Sequence, residues 1–480
     1  MNAAQNGVGG IRLWHARLAG VSACAKQVFP VVNPSTGLAI AHVASCGRQE
    51  ALLALEGASH GLLAWNRREA ESRRAVLTRW RDLICAHADR LATTMTLETG
   101  KPIQEARAEV ADALEIVGYC SDIAGLTDNS TVVSQHGLRQ VHCRARPVGT
   151  VVCIANWCQP VLTVARCASA ALAAGCVVIL KPSSRAPLTA ITLADLWSEA
   201  GGPPGTLQVV TTHDPIATVD VFLSDLRVGM VTFTGSIEVG QYLGRKCADA
   251  RKALTLEVDG QTPILVFPDA DLERAADGII ASTFMRNAGQ DCTSASRLYV
   301  HEGVAERLLA LLRARAAALR SGDPLDPDTQ IGPVVDSVSL IMAREQISHA
   351  LGEGARLIVG GTHKGGLHFP PTIVDNVRAD MRIVTQGRSG PLLPVLRFME
   401  VDDAIELATS TAKGGTAWVW TRDLEQAQHV AHELGYVNVW INDAGRALTD
   451  PFALTAGRMS MWPPACLHPY LKAMRLTMAA

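Results

Sequence analysis

The sequence predicts an α/β protein of two interlocked Rossmann-like lobes, each a parallel sheet covered by helices, with their junction near residue 258. Three observations point there. Short Val- and Ile-rich runs (Thr150 to Ile154, Cys176 to Leu180, Leu207 to Val210, Met230 to Phe233) alternate with Ala- and Leu-rich helical stretches, the pattern of a doubly wound parallel sheet. A second βα series opens near Gln261 with the run Ile264 to Phe267. It continues through helices near 271 to 287 and 303 to 320 and a Gly/Pro/Asp-rich loop at 321 to 333, and reaches the run Gly435 to Ile441. With 480 residues and 48% hydrophobic side chains, the chain is too long for one core and too apolar for disorder.

Ahead of the first sheet, Val76, Trp80, Leu83, Ile84, His87 and Leu91 recur near a 3.6-residue period and predict one amphipathic helix over 73 to 91, which Gly100 and Pro102 close off. A second helix is expected from Gln104 to Tyr119, with Glu105, Arg107 and Glu109 on its solvent side. Residues 127 to 147 change texture. Val141, Cys143 and Ala145 alternate there with Gln140, His142, Arg144 and Arg146, a half-exposed strand on an excursion from the core. No fixed-period repeat and no low-complexity linker interrupts the rest.

Charge excludes some partners. Lys plus Arg (44) nearly balances Asp plus Glu (46), so no overall field draws nucleic acid or an anionic membrane. The longest apolar runs are shorter than the roughly 20 residues of a membrane span, and the first thirty residues lack the pattern of a secretion signal. Twelve cysteines lie scattered without CxxC spacing, so neither a metal site nor a redox dithiol is expected. Free thiols in a reducing cytoplasm are the reading, with one of them a candidate nucleophile.

Four positions carry chemistry. Lys181 follows the strand Val177 to Leu180, which puts an ammonium at the carboxyl end of a parallel strand, where such sheets bind ligands; a lysine that merely ends a strand reads the same way. Gly235 and Ser236 join a strand to a helix whose free amides suit a phosphate, although the GxGxxG fingerprint is absent. Cys292, in the polar turn Asn287 to Ser294, is a thiol that substrate can reach or an inert filler. Glu257, set among Leu254, Leu256 and Val258, is expected to be a buried carboxylate, either a base or a salt-bridged structural group. A thiol that adds to a carbonyl, a carboxylate that activates water and a nucleotide site together fit thioester chemistry with hydride transfer.

At these residues the chain resembles the aldehyde dehydrogenase superfamily from Val32 to Tyr470. LETGKP at 97 to 102, LAAG at 172 to 175, LKPSS at 180 to 184, FTGSIEVG at 233 to 240, LE at 256 to 257 and NAGQDC at 287 to 292 stand in the family's order. The stretch Phe284 to Cys292 is most similar to the succinate-semialdehyde dehydrogenases. The resemblance implies an aldehyde dehydrogenase-like fold, with a dinucleotide-binding domain at 1–126 and 148–258 and a catalytic domain at 259–458. Segments 127–147 and 459–480 would bridge subunits of a homodimer or homotetramer. Cys292 would attack a small aldehyde and Glu257 would activate the hydrolytic water. Trp157, Lys181, Ser184, Gly235, Ser236 and Val258 would hold NAD or NADP, the small Ser184 tolerating a 2′-phosphate, and Arg166 and Arg286 would take a substrate carboxylate.

Several positions depart from that pattern. Cys158 replaces the oxyanion-binding asparagine, and losing such a donor typically costs about 10²- to 10³-fold in rate. Gly387, Arg388 and Ser389 replace the residues that grip the nicotinamide ribose, Asp291 precedes the nucleophile, and Ala453 and Leu454 replace a glycine pair. One extra residue falls near Met285, which inside a helix would rotate the following side chains. The oxidation of a small aldehyde, with a semialdehyde bearing a carboxylate tail among the candidates, is therefore weighed against two alternatives: a weakened or inactive relative with an assembly role, and a cofactor-independent acyl-transfer enzyme using Cys292.

Overall fold

The structure is a computed structural model that describes residues 11–124, 129–133, 139–363, 365–386, 390–410, 414–445 and 466–479. Apolar β-branched runs assemble two seven-stranded sheets. In the first, strands β1 (Thr150–Ile154), β2 (Val177–Lys181), β3 (Leu207–Val209), β4 (Val228–Gly235) and β5 (Ala253–Val258) run parallel in the order β5-β4-β1-β2-β3. The antiparallel strands Ala16–Leu18 and Val21–Ala23 complete the β3 edge. Strands β1 and β2 are buried at every position, which explains their uninterrupted apolar sequence. The order reverses between β1 and β4, so a crevice opens beyond their carboxyl ends.

The helices that matter for the site are α1 (Ile103–Asp122), α2 (Pro160–Ala173), α3 (Pro187–Glu199), α4 (Ile237–Asp249) and α5 (Leu272–Thr283). The second sheet is built from Pro263–Val266, Arg297–His301, Thr372–Asp375, Leu392–Phe398, Thr416–Trp420 and Asn438–Ile441, all parallel, with Arg356–Val359 antiparallel at one edge. Separate apolar cores pack its two faces. Strands Asn129–Val133, Arg139–Pro147 and Leu471–Ala479 form a three-stranded antiparallel sheet of their own. Among the described residues no helix is long and apolar enough to cross a membrane.

Two helical expectations are corrected. The periodic stretch 73 to 91 is two helices, Ala70–Ala86 and Ala88–Thr99, broken at His87, whose ring nitrogen bonds the Leu83 carbonyl. Of the three charged residues expected on the solvent side of α1, only Arg107 is exposed; Glu109 is buried and Glu105 is half-buried. Glu109 lies three residues after Ala106 and four before Ala113, within the apolar stripe of that helix.

The two sheets meet at a glycine seam. Gly100 ends the Ala88–Thr99 helix with φ +76°, and a Cβ there would come within 2.6 Å of Pro333. A Cβ on Gly332 would collide with the Gly100 carbonyl oxygen. Gly332→Ala is therefore expected to lower stability by about 1–3 kcal/mol, the usual cost of overpacking, read as an earlier urea midpoint than that of the parent.

Candidate active site

Helix α1 organises one wall of the crevice. After β1 the chain turns through Asn156, Trp157 and Cys158 before α2 begins at Pro160. Gln159 caps α2 with no side-chain bond, and the Glu109 carboxylate supplies the missing acceptor, taking the amides of Val161 (2.9 Å) and Leu162 (3.1 Å). Lys101 pairs with Glu109 and donates to the Cys158 carbonyl at 2.7 Å. Burial disfavours the Lys101 charge, but Glu109 and then Asp291 outweigh it and raise its pKa. Glu98 serves α3 in the same way, accepting from the amide and hydroxyl of Thr189; burial lifts its pKa to about 7 against those bonds.

The opposite wall is the loop after α5. Asn287, Ala288 and Gly289 have consecutive positive φ values of 51°, 51° and 74°. Such a run is costly for non-glycine residues and needs outside support. Glu105 provides it, accepting the Asn287 amide at 2.6 Å, while Gln290 bonds the Val335 amide and the Pro333 carbonyl. Gly289 is required, since a Cβ there would sit 2.8 Å from the Gly390 carbonyl oxygen. Met285 falls beyond the last residue of α5, so the extra residue rotates no helical face.

This loop leaves Cys292 half-buried with the Cys158 thiol beside it. Cys158, burial and the charges of Asp291 and Asp259 push the Cys292 thiol well above its ordinary pKa. Asn156 aims its side-chain amide at the Cys158 sulfur, 3.1 Å away, so an amide donor stands one atom behind the position where the resemblance implied one.

Glu257 is not buried. β5 is an edge strand, and the Glu257 side chain is 42% exposed, which corrects the expectation of a buried carboxylate. Parallel pairing sets Thr234 beside Glu257, and the Thr234 hydroxyl donates to the carboxylate at 3.1 Å. Arg166, on α2, donates to the same oxygen at 2.7 Å. Burial works against the Arg166 charge and Glu257 outweighs it; Cys292 and Asp291 are near enough to add to the effect. Arg286 points elsewhere. Its guanidinium bonds the Thr293 hydroxyl (3.1 Å) and carbonyl, and the carbonyls of Ala444 and Gly445, which ties two loops together.

The positions expected to hold a cofactor lie at the carboxyl ends of β1, β2 and β4. Lys181 is buried, its ammonium has no hydrogen bond or ion pair among the described residues, and burial alone pulls its pKa down to about 8. Such an ammonium fits an anionic or hydroxyl-bearing ligand. Ser184 is half-buried beside it, and Arg185 lies over the Trp157 ring (5.7 Å) while pairing with Asp336 across the crevice. Ser236 caps α4, and Gly240 lets that helix close on Val258. Gly387, Arg388, Ser389 and residues 451 to 454 lie outside the described residues.

Sequence reasoning assigned no role to Lys101, Glu105 and Glu109. Their signal was the i, i+4 pairing of two glutamates within reach of the LETGKP lysine. Burial lifts Glu105 to about 7, opposed by the Lys101 charge and the Asn287 amide. A carboxyl with a raised folded-state pKa favours the folded protein below that value, so stability falls as pH climbs from about 4.5 to about 7. Glu105→Gln is expected to match the parent near pH ~5 and to exceed it by on the order of 1–3 kcal/mol at pH ~8 in chemical denaturation.

The profile of the aldehyde dehydrogenase family matches residues 21–456. The chain is 36% identical to the NADP-dependent succinate-semialdehyde dehydrogenase of Escherichia coli strain K12, covering 87% of this chain and 86% of that one. It is 35% identical to the 3-sulfolactaldehyde dehydrogenase of Pseudomonas putida, covering 89% and 88%. The crystal structure of succinate-semialdehyde dehydrogenase from Burkholderia pseudomallei superposes with a TM-score of 0.92 at 30% identity over all of both chains. With its family profile, its sequence relatives and its fold in agreement, the chain belongs to the aldehyde dehydrogenase family.

Proposed function

We propose that this protein oxidises a small aldehyde carrying an acidic tail to the corresponding acid, with NADP or NAD as acceptor, through a thioester on Cys292. The observation that carries the reading is the convergence of Cys292, Arg166 and Glu257 on the crevice at the β1/β4 switch point. The two sequence relatives described above are named for aldehydes bearing a carboxylate or a sulfonate. Arg166 is the charged side chain of an otherwise uncharged helix, placed to meet such a group.

The Cys292 sulfur adds to the aldehyde carbon, and Asn156 and Cys158 stand nearest the developing oxyanion. A bound nicotinamide dinucleotide supplies the hydride acceptor; Lys181, Ser184, Trp157 and the Gly235–Ser236 turn would hold it, with Val258 closing the site. Glu257 then takes a proton from the water that hydrolyses the thioester. The unit 1–126 and 148–258 acts as the dinucleotide-binding domain and 259–458 as the catalytic domain. Segments 127–147 and 459–480 serve a homodimer or homotetramer in the cytoplasm, where free thiols persist.

Reduced nicotinamide is expected to accumulate with succinate semialdehyde and NADP, and Cys292→Ala is expected to abolish it; no reduction with either dinucleotide would refute the assignment. Because Cys158, burial and the nearby Asp291 and Asp259 raise the pKa of the Cys292 thiol, the parent rate should climb with pH into the alkaline range. Cys158→Asn is expected to raise kcat by about 10²-fold and to move that rise to lower pH, checked by pH–rate profiles of the two proteins.

A further inference from the structure

Every residue of α2 except Arg166 is buried, so that helix brings one charge to the crevice. Its Nη2 holds Glu257 Oε2 at 2.7 Å, an oxygen that also accepts from Thr234 at 3.1 Å. Its Nε–H is buried with no acceptor among the described residues, so Glu257 leaves the guanidinium incompletely satisfied. Arg286 is already engaged by Thr293, Ala444 and Gly445. An anionic tail entering beside Cys292 therefore meets the guanidinium that is holding the base.

Glu257 and the tail compete for that guanidinium. We propose that Arg166 is a positioning residue that gates the general base: an acidic tail draws the guanidinium away from Glu257 and frees the carboxylate to activate water. This rests on the function proposed above and adds how the site selects acidic aldehydes. In the gated step the water oxygen attacks the thioester carbon and its proton passes to Glu257. The carbon–sulfur bond breaks, the sulfur leaves with the electron pair and takes the proton back, and nothing is oxidised or reduced. While Arg166 and Thr234 both donate to Oε2, the lone pairs of that oxygen are engaged and the carboxylate is pinned, and a thioester without an acidic tail waits.

The gate can be read without dinucleotide. p-Nitrophenyl butyrate acylates Cys292 directly, with a burst of p-nitrophenolate equal to the enzyme, and steady release then reports hydrolysis of the butyryl-enzyme, which has no acidic tail. Sodium propionate supplies the missing carboxylate in trans. It is expected to speed the steady phase by on the order of 10-fold, the worth of one charge-assisted hydrogen bond, without changing the burst, while sodium chloride at the same ionic strength does not. Arg166→Met, with the base permanently released, should run fast without propionate and ignore it; Arg166→Lys, which keeps a charge on Glu257, should run slowly like the parent. A burst whose steady phase propionate leaves unchanged or slows in the parent overturns the gate alone, and this arm needs no variant. Absence of any burst overturns both the gate and the Cys292 chemistry beneath it.

Discussion

Helix α1 fastens both walls of the crevice with carboxylates four residues apart. Glu109 caps α2 and pairs with Lys101, which holds the Cys158 carbonyl; Glu105 holds the Asn287 amide of the Cys292 loop. Three consecutive left-handed residues precede Cys292 by only a few positions, and such a turn persists only where its surroundings over-determine it. The buried Lys101–Glu109 pair is a weak source of net stability. Its value is geometric, because it sets the start of α2, and α2 carries Arg166 to Glu257.

The chemistry follows from that placement. Glu257 comes from the first sheet and Cys292 from a loop of the second lobe, and Arg166 is the group that senses both. Cys158 and burial raise the pKa of the Cys292 thiol, so the proposed nucleophile rests protonated. Asn156 sets its side-chain amide 3.1 Å from the Cys158 sulfur, beside that thiol.

Much of this was legible in the sequence for physical reasons. Fully buried parallel strands demand unbroken Val and Ile, so β1, β2 and β4 declared themselves, and Lys181 and Ser236 at strand ends followed from the architecture. Edge position is not written in a strand's composition, which is why Glu257 read as buried and is exposed. Nor does a helix announce which charges face inward: Glu105 and Glu109 looked solvated because their partners, Asn287 and the α2 amides, lie far along the chain. The aim of Arg286 depends on carbonyls at 444 and 445, more distant still. In each case the missing information was a long-range contact.

Trapping the acyl-enzyme tests the central claim most directly. With Glu257→Gln, succinate semialdehyde and NADP, intact-mass analysis followed by peptide mapping should find one succinyl group per chain, on Cys292, while the parent shows none at steady state. A label on any other cysteine, or an unmodified variant after one equivalent of dinucleotide has been reduced, would contradict a shared crevice in which this sulfur carries the acyl group and this carboxylate releases it.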